Sequence, residues 1–232
     1  MVWFQRLIEE GLIPLQRPPT MSDLNTAVQQ MSVRVRDAMH AALAALEGGD
    51  VEAARQVIAG DAAIDQMEEA VERHCLSLLS GRTHAGAAER EVRTVAAAFK
   101  VVTDLERIGD HAAAMARTTL RLQGQRPIAP FIDIQRLAAL AGEMIDGAVA
   151  AFASGDAAAA RSVAERDDGV DALYDQVCRE LLSYMLDDRT SVRQAAHLLF
   201  VASALERIAD HATNVSEWVI FVETGRRVEL ND

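Results

Sequence analysis

The sequence predicts an all-α fold made of a tandem duplication of a three-helix bundle, with six main helices. Aromatic residues make up 4% of the chain and only five prolines interrupt its 232 residues, a composition typical of helices packed on helices. Apolar residues recur with helical periodicity through long stretches. A nine-residue motif, DLERIGDHA at 104–112, returns as ALERIADHA at 204–212 with seven of nine positions identical. Internal repetition of this kind indicates a duplicated structural unit.

The first repeat is expected at residues 21–125. Ser22 is predicted to cap its first helix, Gly48-Gly49 to end that helix, and Asp50 to open the second helix, because hydroxyl and carboxylate side chains favour helix starts and glycine favours helix ends. The third helix carries the first copy of the motif. The repeat therefore presents its motif on its last helix.

The second repeat is expected at residues 126–232 and follows the same order. Its first helix is predicted from Phe131 to Phe152, and Ser154-Gly155-Asp156 separates that helix from the next. The sixth helix is predicted to begin at Thr190 or Ser191, with Gln194 completing a capping box. It carries the second copy of the motif.

The internal match extends beyond the motif. A shift of 106 positions places Asp61 on Asp167, Ile64 on Val170 and Asp65 on Asp171. At the motif the shift is 100, so the later loop of the second repeat is shorter. The second helix of each repeat therefore has acidic residues at matching positions.

Composition also excludes several classes of protein. The formal net charge of −12 opposes nucleic-acid binding, which needs clustered Lys and Arg, and favours cations or basic protein surfaces as partners. The longest uncharged apolar run, at 198–205, is too short to span a bilayer. The two cysteines are far apart, which indicates reduced thiols in a cytoplasmic protein.

The N-terminal segment, residues 1–20, is amphipathic and is broken by three prolines. It lacks a basic start followed by a cleavage site and so does not resemble a secretory signal. Packing on the body, self-association and lying on a membrane face all remain open for it.

Each motif copy places two carboxylates on one face of a helix. Glu106 with Asp110, and Glu206 with Asp210, are four residues apart, so their side chains are neighbours on the helix surface. They should project away from the apolar stripe that contains Leu105 and Ile108. A solvated face relieved by Arg107 and Arg207 would explain one such pair, but like charges at this spacing repel. Their recurrence favours a cation site.

Further ligands are predicted from neighbouring positions. Asn214 extends the second row by another four residues, and Asp65 and Asp171 on the preceding helices are expected to face the two rows. Ala114 stands at the position that matches Asn214, so the second row is expected to bind ions more tightly than the first. Glu68 and Asp175 are weaker candidates of the same kind.

Oxygen ligands without nitrogen or sulfur select hard ions, so Mg²⁺, Ca²⁺, Mn²⁺ and ferric iron rank above zinc. An alternative is a metal-dependent hydrolase or oxidase in which a glutamate acts as general base and the ion activates water. The Glu-x-x-His pairs of a di-iron bundle are missing, as are the common hydrolase and nucleotide-binding motifs. The sequence therefore favours a protein that is not an enzyme.

The doubled LERIGDHA-type motif, on the third helix of two three-helix units, resembles the PhoU family of phosphate-uptake regulators. The resemblance spans roughly residues 22–223. It implies a cytoplasmic, often dimeric protein that restrains a phosphate ABC transporter and links it to a phosphate-sensing histidine kinase, reaching the membrane only through these partners. It also implies iron or zinc bound at the acidic motifs, through Glu106, Asp110, Glu206, Asp210 and Asn214.

Overall fold

A computed structural model describes residues 19–82, 89–123 and 131–230. Within these ranges every regular element is a helix. The elements are α1 (Met21–Gly48), α2 (Val51–Arg82), α3 (Glu89–Arg121), α4 (Phe131–Ser154), α5 (Ala157–Ala164), α6 (Asp167–Asp187) and α7 (Val192–Thr224). The predicted all-α class is confirmed.

The helices form two similar bundles that share one hydrophobic core. Helices α1, α2 and α3 pack together as the first bundle, and α4, α5, α6 and α7 as the second. The bundles meet where α3 lies against α7 and α1 against α4. Because α3 and α7 carry the two motif copies, the motifs face each other across the centre of the molecule.

The six predicted main helices are present, with one interruption. The fifth is divided into α5 and α6 by a turn at Glu165–Arg166. The predicted repeat boundary at 125–126 lies outside the described residues, as do residues 1–18 of the N-terminal segment. Those boundaries stay predictions.

The predicted caps are observed at the turn between α1 and α2, but the caps at the starts of α1 and α7 differ from the prediction. Gly49 adopts a left-handed conformation, φ 67°, and Asp50 accepts hydrogen bonds from the N–H groups of residues 52 and 53, as predicted. Thr20, not Ser22, caps α1, because its hydroxyl and the Asp23 carboxylate form a reciprocal capping box. Ser191 makes no side-chain cap, because its hydroxyl instead donates to the carbonyl oxygens of Tyr184 and Asp188.

Helix α4 differs from the expectation about apolar runs. Its stretch 133–154 is long and apolar enough, by length and composition, to cross a membrane. It packs against α1, α5, α6 and α7, and 56% of an apolar 18-residue window within this stretch is buried inside the protein. Burial between four helices therefore accounts for its composition.

Gly109 marks a close approach between α3 and α2. A Cβ atom at this position would lie 2.9 Å from Cδ1 and 3.1 Å from Cγ2 of Ile64, which is itself buried. The matching positions in the second repeat hold Ala209 and Val170. The first repeat thus pairs the smaller Gly109 with the larger Ile64, whereas the second repeat has the larger Ala209 and the smaller Val170.

We expect a Gly109→Ala substitution to be rescued by Ile64→Val. The added methyl overpacks the site while the shorter side chain makes room for it, so the two changes should couple favourably by about 1 kcal/mol. Urea denaturation of the wild type, both single variants and the double variant measures this coupling in the free energy of unfolding. Gly169→Ala is the matched control, because a Cβ there meets nothing within 4 Å. Strictly additive single effects would contradict the packing argument.

Candidate metal centre

The motif helices bury the stripe that the sequence predicted. Val101, Leu105, Ile108, Ala112 and Met115 are fully buried in α3, and Leu205, Ile208 and Ala212 are buried in α7. The acidic residues, expected to project to the outside, instead lie half-buried: the Glu106 side chain is only 18% exposed and that of Asp110 is 44% exposed. The reason is that α2 packs alongside α3 and covers part of the acidic face.

The first acidic cluster lies between α2 and α3 and consists of Asp61, Asp65, Glu68, Glu106 and Asp110. Asp65 and Glu68 act electrostatically on Glu106, and Asp61 interacts in the same way with Asp110. Two arginine side chains offset part of this negative charge. Arg107 lies 3.5 Å from a Glu106 carboxylate oxygen and 3.2 Å from one of Asp110, and Arg117 lies 3.8 Å from Asp61.

The second acidic cluster lies in an open groove between α6 and α7 and consists of Asp167, Asp168, Asp171, Glu206 and Asp210. Arg207, His211, Asn214 and Leu230 also line this groove, which has a volume of about 530 Å³. Five carboxyl groups thus share the groove with one guanidinium. The volume holds a cation with several of its waters, since a water occupies about 30 Å³.

Partial burial, and secondly repulsion from neighbouring carboxylates, raises the pKa values of several of these acids. The pKa of Glu106 is raised to about 7, by burial first and by Asp110 second. The pKa of Asp167 is raised to about 6, by burial and then by Asp210 and Asp171. Burial also raises the pKa values of Glu206 and Asp210. In both clusters the neighbouring carboxylates therefore add to the effect of burial in disfavouring the charged form of these groups.

The predicted cross-helix partners Asp65 and Asp171 lie beside Glu106 and Glu206 respectively, and the sequence analysis missed Asp61, Asp167 and Asp168. The internal alignment had a signal for the first two, since it pairs Asp61 with Asp167 four residues before Asp65 and Asp171. Asp175 is exposed and does not line the groove.

The chemistry of both clusters fits a hard cation, because oxygen donors with uncompensated charge are what such ions require. Across 19–82, 89–123 and 131–230, no three His, Cys, Asp or Glu side chains stand close enough to hold an ion as they lie. Binding would therefore require side-chain rotation. Glu106 and Asp110 would hold an ion in the first cluster, and Glu206 and Asp210 with Asp167 or Asp171 in the second, where it would neutralise their repulsion.

A polar contact joins the two repeats beside the second cluster. Asp104, the first residue of the motif copy on α3, accepts hydrogen bonds from α7: its Oδ1 lies 2.9 Å from Nδ1 of His211 and 3.2 Å from Nδ2 of Asn214. Asn214 therefore has its amide nitrogen engaged by α3, and its amide oxygen is the atom left for an ion. The rings of His111 and His211 lie against each other, 5.7 Å between centroids.

The C-terminal residues fold back along α7 towards the second cluster. The N–H of Leu230 donates to the buried Glu217 carboxylate at 2.8 Å, and the Arg227 guanidinium lies 5.0 Å from the Trp218 ring centroid. These contacts place Leu230 at the edge of the groove. The positions that match 217 and 218 in the first repeat are Arg117 and Thr118, which have neither a carboxylate nor an aromatic ring.

Fold and clusters together define a class: a protein of two helical repeats, each with an acidic cluster between its second helix and its motif helix. A family model described as the PhoU domain matches this chain twice, at residues 28–119 and 134–219. The two matches coincide with the two bundles.

Curated relatives carry the same family name. The phosphate-specific transport system accessory protein PhoU homolog of Aquifex aeolicus is 37% identical over 210 residues, which cover 90% of this chain and 93% of the relative. The homolog of the same description from Clostridium acetobutylicum is 33% identical and covers 91% of this chain and 96% of the relative.

Solved structures agree with the sequence relatives. The crystal structure of PhoU from Pseudomonas aeruginosa is similar to this chain with a TM-score of 0.80 and 32% identity, covering 89% of this chain and 98% of that one. The phosphate transport system regulatory protein PhoU from Streptococcus pneumoniae gives a TM-score of 0.80 at 29% identity, covering 90% and 97%. The chain belongs to the PhoU family.

Proposed function

We propose that this protein regulates phosphate homeostasis as a cytoplasmic adaptor. In this proposal it restrains a high-affinity phosphate ABC transporter and couples the transporter's state to a phosphate-sensing histidine kinase. The observation that carries the proposal is the match to the PhoU family along both repeats, with relatives named accessory proteins of phosphate-specific transport. Contact with the membrane is then indirect, through the transporter.

We propose further that the two acidic clusters bind divalent or ferric cations. Support comes from the half-buried carboxylates of each cluster, whose pKa values are raised by burial first and by the neighbouring carboxylates second. A bound cation would neutralise the charge of these carboxylates and would fasten α2 to α3 and α6 to α7. Iron and zinc are expected from the family, while the oxygen-rich donor set favours Mg²⁺, Mn²⁺ or Ca²⁺.

The alternative of a metal-dependent hydrolase or oxidase receives no specific support. The relatives are described as accessory or regulatory proteins, and a role without catalysis is consistent with these descriptions. We therefore propose that the clusters serve structure or regulation.

Deletion of the coding region tests the regulatory role. We expect phosphate uptake in phosphate-rich medium to rise when the protein is absent and to return to its original rate on complementation with the wild type, because the restraint on the transporter is removed and then restored. Co-purification of the tagged full chain with the transporter's ATPase subunit and with the sensor kinase tests each partner separately. Unchanged uptake together with no recovery of either partner would refute the adaptor.

Self-association follows from the same family expectation. We propose a homodimer, and light scattering coupled to size-exclusion chromatography of the full chain measures it directly.

Partner binding through an acidic surface should weaken as salt is raised, because screening reduces attraction between exposed charges.

A further inference from the structure

The contacts between α3 and α7 are those expected of two repeats related by an approximate two-fold axis near the paired histidines. His111 and His211 occupy the same motif position, and their rings contact each other. In a two-fold arrangement, a contact between one pair of positions implies a contact between the exchanged pair. By this relation, the pair that corresponds to positions 104 and 214 is 204 and 114.

The two counterparts differ chemically. On one side of the axis, Asp104 accepts hydrogen bonds from His211 and Asn214, and all three side chains are largely buried. On the other side, the matching residues are Ala204 and Ala114, which have no polar side-chain atoms. The first repeat thus lacks both the carboxylate and the amide that form the contact beside the second cluster.

The hydrogen-bond roles follow from the carboxylate. An ionised carboxylate can only accept, so Nδ1 of His211 must carry a hydrogen and Asn214 must turn its nitrogen towards α3. This fixes the tautomer of His211 and the orientation of the Asn214 amide, whose oxygen stays on the side away from Asp104. His211 and Asn214 both line the second groove. Asp104 therefore determines how two groove side chains are presented.

We infer that Asp104, a residue of the first repeat, is a positioning residue for the cation site of the second repeat. This inference rests on the proposed cation binding and adds the residue that makes the two clusters unequal. Groups that orient metal ligands change affinity by about 10-fold to 100-fold when they are removed. The second cluster, whose His211 and Asn214 side chains are held by Asp104, is expected to bind the cation more tightly than the first.

Calorimetric titration with Mn²⁺ tests the inference on the full chain. The background carries Glu106→Gln and Asp110→Asn, so that the measured binding belongs to the second cluster. Adding Asp104→Ala should weaken Mn²⁺ binding by about 10-fold or more. Asp104→Asn should retain most of the affinity, because both hydrogen bonds end on the same oxygen, Oδ1, and an amide oxygen still accepts both.

The mirror variant tests the same idea as a gain. Ala114→Asn with Ala204→Asp, placed in a chain whose second cluster is neutralised by Glu206→Gln and Asp210→Asn, should tighten Mn²⁺ binding at the first cluster. Equal affinity with and without this pair would count against the inference. The side-chain amide signals of Asn214 in NMR spectra give a readout independent of metal: Asp104→Ala should shift them, and Asp104→Asn should shift them far less.

Failure of the inference and failure of the proposed function give different results. Wild-type binding that Asp104→Ala leaves unchanged, or an equal loss in the Ala and Asn variants, overturns the positioning role alone. Absence of Mn²⁺ binding in the wild type overturns the proposed cation function, and the inference with it. Selective loss in the Ala variant, with rescue by Asn, supports both.

Discussion

The Glu206→Gln/Asp210→Asn double variant is expected to bind Mn²⁺ at the second cluster at least about 100-fold more weakly than the wild type, a loss of about 2.7 kcal/mol. The two substitutions keep the shape of the side chains and remove both charges of the motif row from the groove. Hard cations depend on the number of charged oxygen ligands, so this change should lower affinity more than any other conservative pair. Binding at the first cluster should be unaffected.

The same double variant should fold at least as well as the wild type without metal. Its neutral side chains no longer repel Asp167 and Asp171, whose charges act on Glu206. Glu47→Gln with Asp187→Asn is the matched control, because both residues are exposed and neither lines the groove. If the control loses as much Mn²⁺ affinity as the motif variant, the effect comes from net charge and the site assignment is wrong.

The second large effect concerns stability and pH. The folded pKa of Glu106, about 7, lies above its ordinary value of 4.5, so between these values the folded chain binds the proton more tightly than the unfolded chain. Stability from this group is fully present below about pH 4.5 and is lost as the pH rises through 7. Glu106→Gln removes this loss and should stabilise the metal-free protein by about 2 kcal/mol at pH 8, with little change near pH 4.

Urea denaturation across pH 4 to 8, in the presence of a chelator, measures the difference between wild type and Glu106→Gln. Asp167, with a pKa of about 6, contributes in the same direction and keeps some pH dependence in the variant. Glu47→Gln should follow the wild-type curve. Addition of Mn²⁺ should stabilise the wild type more at pH 8 than at pH 5, because protons compete with the ion for the same carboxylates. Parallel curves for wild type and Glu106→Gln would contradict the raised pKa of Glu106.

The fold was predictable because the sequence patterns that specify it are local and occur in both repeats. Apolar periodicity places Leu105 and Ile108 on a buried stripe, and glycines such as Gly49 stand where a left-handed conformation is needed. The motif also places Glu106 and Asp110 together through helix spacing alone. The residue that caps α1 was not predictable in this way, because the hydroxyl oxygens of Thr20 and Ser22 can both accept a capping hydrogen bond and only tertiary packing selects one.

The rest of the site depends on how helices dock, which periodicity does not encode. Asp104 reaches Asn214 across 110 positions of the chain, and only the packing of α3 on α7 brings them together. Leu230 reaches the groove through the buried carboxylate of Glu217. The half-burial of Glu106 has the same origin, because α2 covers a face that a single helix would expose.

Anomalous diffraction from crystals of the full chain grown with Mn²⁺ tests the central claim most directly, because it locates the ion itself. We expect an anomalous peak between α6 and α7, coordinated by Glu206 and Asp210, and a weaker one between α2 and α3 at Glu106 and Asp110. Crystals that show no peak at either acidic cluster at saturating Mn²⁺, with the carboxylates held only by arginine and water, would contradict the account.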